Sequence, residues 1–237
     1  MKNIKEMEEK IDRIVLSIPH CSTQIDLDEW DSDEIMHDVY KWTDLYADII
    51  FQPDIQYFKS NIFLVKGNVS RFICDVERLE NDSLNEIGQG IIYTRFGKYN
   101  RNITHERKQE IMNTYYYPYI ENLKSSLTPS SLLIDCHSFP YEVNNEIDIN
   151  LGFNKNWSKP DDKLIHLIAD YFEKNGLKVG LNIPYSNSIS PECHFKYKSI
   201  MIELNKKLYL NSDYTLKAEA DQLNKKLTGL YRLILQK

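Results

Sequence analysis

Apolar residues fall along the chain in two patterns: short continuous runs, and longer stretches in which they recur every three to four positions. Arg13 to Ile18 (RIVLSI) is a β-branched run halted by Pro19, which predicts a buried strand followed by a loop. Ile62 to Val65 predicts a second strand, closed by Gly67-Asn68, and Arg71 to Val76 is a further short apolar run. Ser131 to Cys136 (SLLIDC) is the clearest buried strand, and Ile147 to Leu151, Leu177 to Leu181 and Ser199 to Leu204 (SIMIEL) complete the set. Helical spacing predicts a short charged helix over 3–11 and longer ones over Val39 to Phe51, Thr104 to Ser125, Pro160 to Lys174 and Thr215 to Leu235. Gly176 stands where a C-cap glycine belongs. Residues 83–102 hold three of the eight glycines and predict an irregular excursion. Strands and helices alternate, which predicts an α/β protein: a three-layer α/β/α sandwich around a mixed, mainly parallel sheet. No repeat or long Gly/Ser linker divides the chain, so residues 1–237 are expected to form one domain.

Composition narrows the function classes. Twenty-nine Lys and Arg against 35 Asp and Glu give a net charge of −6 without a basic block, which disfavours nucleic acid and anionic membranes as partners. The longest apolar runs, such as Ile14 to Ile18, are too short to span a bilayer. The polar start, MKNIKEMEEKIDR, lacks the apolar core of a signal peptide, so the expected location is the cytoplasm. Cys21, Cys74, Cys136 and Cys193 form no C-x-x-C pair and read as small buried residues, with Cys193 the one best placed to approach a metal. Tyr115, Tyr116, Tyr117 and Tyr119 read as a helix face packed on the sheet.

Polar residues at predicted strand ends carry the candidate chemistry, because open α/β sheets form sites there. His20 follows RIVLSI, His137 follows SLLIDC, Glu203 ends SIMIEL, Asp75 and Arg78 follow RFIC, and Asp44 lies near the start of a helix. Two imidazoles, one carboxylate ligand and one free carboxylate are the parts of a hydrolytic zinc site. Each also has a structural alternative. Asp44 is a good helix N-cap, Glu203 has Lys206 and Lys207 nearby to pair with, and Arg71 and Arg78 have Glu77, Glu80 and Asp82. His37, His105 and His166 read as surface or packing residues, whereas His194 is close enough to SIMIEL to reach the site. Asp135 is expected to face away from His137.

The segments SIPHCS (17–22), WTDLYADIIF (42–51), SRFICDVER (70–78), GQGIIYTRFG (88–97), YYYPYIENL (115–123), LLIDCHSFP (132–140), DINLGF (148–153), LNIPYS (181–186) and IELNKKLY (202–209) occur in an order that resembles the N-formylglutamate amidohydrolase family. That family is related in fold to zinc carboxypeptidases and aspartoacylases. The resemblance implies one zinc ion per chain, with His20 and His137 as histidine ligands. Carboxypeptidase-like relatives place a Glu three residues after the first His, where this chain has Thr23. The family's Asp at the next helix matches Asp44, which is preferred to Asp75 as the third ligand. Glu203 is implied as general base and Arg71 as the group that steadies the oxyanion. Arg71, Arg78, Asn182, Tyr185 and Ser138 are implied as substrate-binding.

The implied activity is zinc-dependent cleavage of the amide bond of an N-acyl amino acid such as N-formylglutamate, the partner being that small acyl-amino acid or amide. The alternatives are a zinc amidase or peptidase acting on a larger peptide-like or cell-wall-derived amide, with residues 83–102 lining a wider mouth, and a metal-binding protein without catalysis. The resemblance departs from pattern at Asp75-Val-Glu77-Arg78, where relatives commonly carry Asp-x-Asn-Arg, and at Ile120, where they often carry His. An ionised Glu77 would repel a carboxylate that Asn would bind. It therefore points to a neutral or basic acyl-amino acid, to a peptide-like amide, or to a Glu77 turned toward solvent.

Overall fold

The computed structural model describes residues 10–53, 61–186 and 196–236. Six strands form one sheet in the order β2-β1-β5-β8-β6-β7: β1 (Arg13–Ile18), β2 (Ile62–Lys66), β5 (Ser131–Phe139), β6 (Ile149–Gly152), β7 (Val179–Leu181) and β8 (Lys198–Asn205). β1, β2, β5 and β8 are parallel, and β6 pairs antiparallel with β8 while β7 runs parallel to β6. A separate hairpin joins β3 (Arg95–Phe96) to β4 (Tyr99–Asn100). The chain steps from β1 outward to β2 and later returns to place β5 on the other side of β1. The carboxyl ends of β1 and β5 thus flank a topological switch point, where α/β sheets open a crevice.

Side-chain alternation builds the two outer layers. Ile14, Leu16, Ile18, Leu132, Ile134, Cys136, Ile200, Ile202 and Leu204 face one way and pack on α2 (Ala47–Ile50), α5 (Asp162–Lys174) and α6 (Ala220–Leu235). Val15, Val65 and Leu133 face the other way, onto α3 (His105–Ile111) and α4 (Tyr117–Ser126). The tyrosine cluster behaves as expected: Tyr116 and Tyr119 are buried against the sheet, and the Tyr119 and Ser17 hydroxyls bond at 2.8 Å, while Tyr117 is exposed. No described helix is long and apolar enough to cross a membrane.

Five expectations change on folding. The helix expected over 39–51 is two, α1 (Ile35–Trp42) and α2, because the Asp44 amide donates to His20 O at 2.8 Å and Tyr46 takes a left-handed φ of 60°. The helix from Thr104 is continuous to Ser126 but widens to a π turn at Met112–Tyr116, just before Pro118. Proline has no N–H to give to the preceding turn, and a wider turn relieves the clash. Arg71 to Val76 is a pair of turns, with the Ile73 and Cys74 amides on Ser70 O, because Arg101 Nη1 holds the carbonyls of Phe72 and Ile73 instead of a neighbouring strand. β5 continues to Phe139 because β8 pairs with it that far, so His137 lies inside the strand. Asp135 shares the face of His137, since residues two apart on a strand point the same way. Most of the helix expected over 3–11, together with Cys193 and His194, lies outside the described residues.

Candidate metal centre and active site

His20, on the loop after β1, His137 on β5 and Asp44 in the break between α1 and α2 meet at the switch point, and all three are buried. His137 Nδ1 is 3.2 Å from Asp44 Oδ2 and His20 Nδ1 is 3.7 Å from the same oxygen. The other oxygen, Oδ1, accepts from the Ser138 amide at 3.0 Å and from its hydroxyl at 2.8 Å. Asp44 therefore holds one oxygen fixed and turns the other to both imidazoles. The loop that carries it is pinned from beneath: the buried Lys206 ammonium donates to the carbonyls of Lys41 and Thr43, and burial lowers its pKa to about 8.

Each imidazole faces a carboxylate on its far side. His20 Nε2 is 2.8 Å from Asp75 Oδ1, and His137 Nε2 is 3.1 Å from Glu77 Oε1. The second contact is close but lies off the N–H direction, so it is an ion-pair approach rather than an aligned hydrogen bond. With its proton on Nε2, His20 turns the lone pair of Nδ1 inward, and that buried nitrogen has no hydrogen-bond partner. An outer carboxylate that fixes a ligating imidazole in this way is the usual support of a metal-bound histidine. Asp75 is held by more than His20. Its Oδ2 takes Arg71 Nη2 at 3.0 Å, Arg71 Nε at 3.3 Å and the Tyr93 hydroxyl at 3.0 Å, with Arg78 Nε at 3.3 Å. Burial alone would raise its carboxyl, but Arg71 and His20 hold it well below the usual range. For His137, burial would lower the imidazole, yet Glu77 and Asp44 outweigh it and push the pKa well up.

A set of His, His and Asp donors within 4.8 Å of one another could hold a metal ion. The donors suit zinc, which takes imidazole nitrogen and carboxylate oxygen and leaves a position open in hydrolytic sites. The unsatisfied His20 Nδ1 is what such an ion would satisfy. His20, Asp75 and Glu77 form a second possible cluster, but there Asp75 is already committed to two guanidiniums and a phenol.

Glu203 lies opposite His137 in the β5–β8 register. It is buried, its Oε2 has no partner among the described residues, and burial pushes its carboxyl up to about 8. Neither lysine pairs with it: Lys206 serves the Asp44 loop, and Lys207 lies 3.0 Å from Asp148. A cavity of about 600 Å³ opens over these groups, lined also by Trp42, Arg71, Arg78, Tyr93, Phe96 and Tyr185. Gln89, Tyr93, Phe96 and Gly97 come from the 83–102 excursion, which does line the mouth. Glu77 faces into this cavity rather than away toward solvent. Of the remaining candidate residues, Ser138 spends its hydroxyl on Asp44 and Tyr185 stands at the rim. Asn182, at a left-handed φ of 57°, uses its side-chain oxygen on the Phe153 amide and does not line the cavity. His37, His105 and His166 are exposed. Tyr93 has no sequence signal of its own, Gly67 reads only as a strand-closing residue, and Lys206 reads only as a partner for Glu203. A lysine directly continuing a buried strand, as in IELNKK, was the one signal for Lys206.

Residues 12–210 match the family model described as N-formylglutamate amidohydrolase. Among solved structures, the crystal structure of N-formylglutamate amidohydrolase from Ralstonia eutropha JMP134 aligns with a TM-score of 0.74 at 19% identity, over 97% of this chain and 94% of that one. A gene product from Agrobacterium tumefaciens aligns with a TM-score of 0.63 at 15% identity, over 94% and 92%. At these identities the likeness is one of fold. No curated protein matches the chain.

Proposed function

The chain belongs to the N-formylglutamate amidohydrolase family, and from that premise we propose that it is a zinc-dependent amidohydrolase cleaving the amide bond of a small N-acyl amino acid, of which N-formylglutamate is one example. The observation that carries the reading is the meeting of His20 Nδ1, His137 Nδ1 and Asp44 Oδ2 near Glu203, whose buried Oε2 has no hydrogen-bond partner among the described residues. His20, His137 and Asp44 would hold the ion. Bound there, zinc would polarise the substrate carbonyl and lower the pKa of water.

The chain's own groups do the rest. Glu203 takes the proton of the attacking water on Oε2 and passes it to the amide nitrogen as the C–N bond breaks, releasing a carboxylic acid and a free amine. A cation nearby favours the ionised carboxylate and so brings the pKa of Glu203 down from about 8 toward the working range. Arg71, fixed through Nε and Nη2 on Asp75, lines the cavity with Nη1 left to meet charge that develops on the carbonyl oxygen. Arg78 lies beside it as an anchor for the substrate carboxylate, a role suited to a planar guanidinium. Asp75 and Ser138 keep His20 and Asp44 in position.

The test is amine release from a panel of N-formyl and N-acetyl amino acids by zinc-loaded protein, chelator-treated protein and Glu203→Gln. The reading expects loss with chelator and a fall in kcat of roughly 10²–10⁴-fold in the variant, with zinc still bound. Turnover in Glu203→Gln equal to wild type, or activity indifferent to chelation, would refute it.

A further inference from the structure

We propose that this site takes an N-acyl amino acid with a single carboxylate and an uncharged, apolar side chain, and that Glu77 is the residue that turns away a second carboxylate. This rests on the amidohydrolase reading and narrows its substrate class.

Glu77 belongs to the cavity wall. Its carboxylate is inside the cavity, 3.1 Å from His137 Nε2 and 3.8 Å from His20 Nε2, with a side chain that is 17% exposed. Its amide donates to Asp75 Oδ1 at 3.3 Å, so the turn that carries Asp75 also fixes Glu77. It is therefore a built part of the wall.

Among the described residues, the cations at the cavity are Arg71 and Arg78, with Lys206 behind Asp44. Against them stand Asp44, Glu77, Asp75 on both guanidiniums, and Asp82, which is 3.6 Å from Arg78. Each of these guanidiniums thus already faces a carboxylate, and Glu77 sets a further one on the wall beside His137. The free guanidinium edges can seat the carboxylate of the amino acid itself, but a second one on the side chain finds no further cation among the described residues and meets Glu77.

Trp42, Phe96, Tyr185, Met201 and Pro140 line the same cavity, a surface that gains from an apolar side chain and offers an anionic one nothing. Like charges a few ångströms apart in a half-buried cavity disfavour the dicarboxylate by on the order of 100-fold.

The experiment uses the zinc-loaded full chain with N-formyl-phenylalanine, N-formyl-leucine and N-formylglutamate. It reads kcat/KM, and in parallel the binding of the same three compounds to Glu203→Gln by calorimetry. The proposal expects the phenylalanine or leucine compound to exceed the glutamate compound by at least about tenfold in both readouts. It also expects Glu77→Gln to shift that ratio toward glutamate by a similar factor. Equal or better handling of N-formylglutamate by the wild type, or a ratio unmoved in Glu77→Gln, overturns it. Binding keeps the two claims apart: selective binding without hydrolysis by the wild type would fail the amidohydrolase reading and uphold this one, and hydrolysis led by N-formylglutamate would do the reverse. Binding of none of the three overturns it as well.

Discussion

Glu203→Gln has a second consequence that follows from burial alone and needs no substrate. In the folded, metal-free protein the carboxyl is pushed from an ordinary value near 4.5 up to about 8 by loss of water. Below pH 4.5 the group is protonated in both folded and unfolded chains and contributes nothing to pH dependence. Between 4.5 and 8 the unfolded chain releases the proton while the folded one keeps it, so folding takes up a proton and stability falls as pH rises, by about 1.4 kcal/mol per pH unit. At pH 7 the accumulated cost is of the order of 3 kcal/mol. Glutamine has nearly the same shape and no charge to desolvate. Metal-free Glu203→Gln is therefore expected to be more stable than wild type at pH 7 by up to about 3 kcal/mol, or roughly 6–12 °C in Tm for a chain of this length. The difference should vanish near pH 4.5, and it should shrink when zinc is added, because the cation favours the ionised wild-type carboxylate. Urea and thermal melts in chelator at pH 4.5, 6 and 7.5 give the series. A variant no more stable than wild type at pH 7.5 would mean that Glu203 is ionised or partnered in the metal-free fold, and the reasoning would fail.

Two further outcomes follow from the supports of the site. Asp75→Asn keeps the size of the acceptor opposite His20 Nε2 but removes its charge, so zinc affinity should fall by about 10–100-fold in a competitive chelator titration; unchanged affinity would deny Asp75 its orienting role. At Gly67 an added Cβ would lie 2.2 Å from Pro19 O, so Gly67→Ala must push the backbone next to His20. The substitution should lower Tm and weaken zinc binding together, and a variant with wild-type Tm and affinity would show that the loop tolerates the displacement.

The layers of the fold were legible because their signals are local. RIVLSI, SLLIDC and SIMIEL are continuous apolar runs, and a strand buried on both faces must be. The histidines and Glu203 could be read from their place at the ends of those runs. What stayed hidden depends on contacts between distant segments. The break between α1 and α2 is made by His20 O and Lys206, the latter more than 160 residues away, and the local pattern of apolar residues runs on as if the helix did. The turns at 71–76 look like a strand until Arg101 supplies partners for their carbonyls. The inward turn of Glu77 follows from the paired supports of His20 and His137, which no spacing in the sequence expresses. The placement of Asp135 was a matter of strand geometry, which puts it on the same face as His137.

The claim on which the rest depends is that His20, Asp44 and His137 hold a metal ion. It is tested most directly by elemental analysis of the full chain, purified and dialysed after incubation with zinc, beside His137→Ala treated identically and shown to be folded by circular dichroism. The account predicts about one zinc per chain in the wild type and a loss of most of it in the variant. Zinc absent from both proteins, or retained in full by His137→Ala, would contradict it.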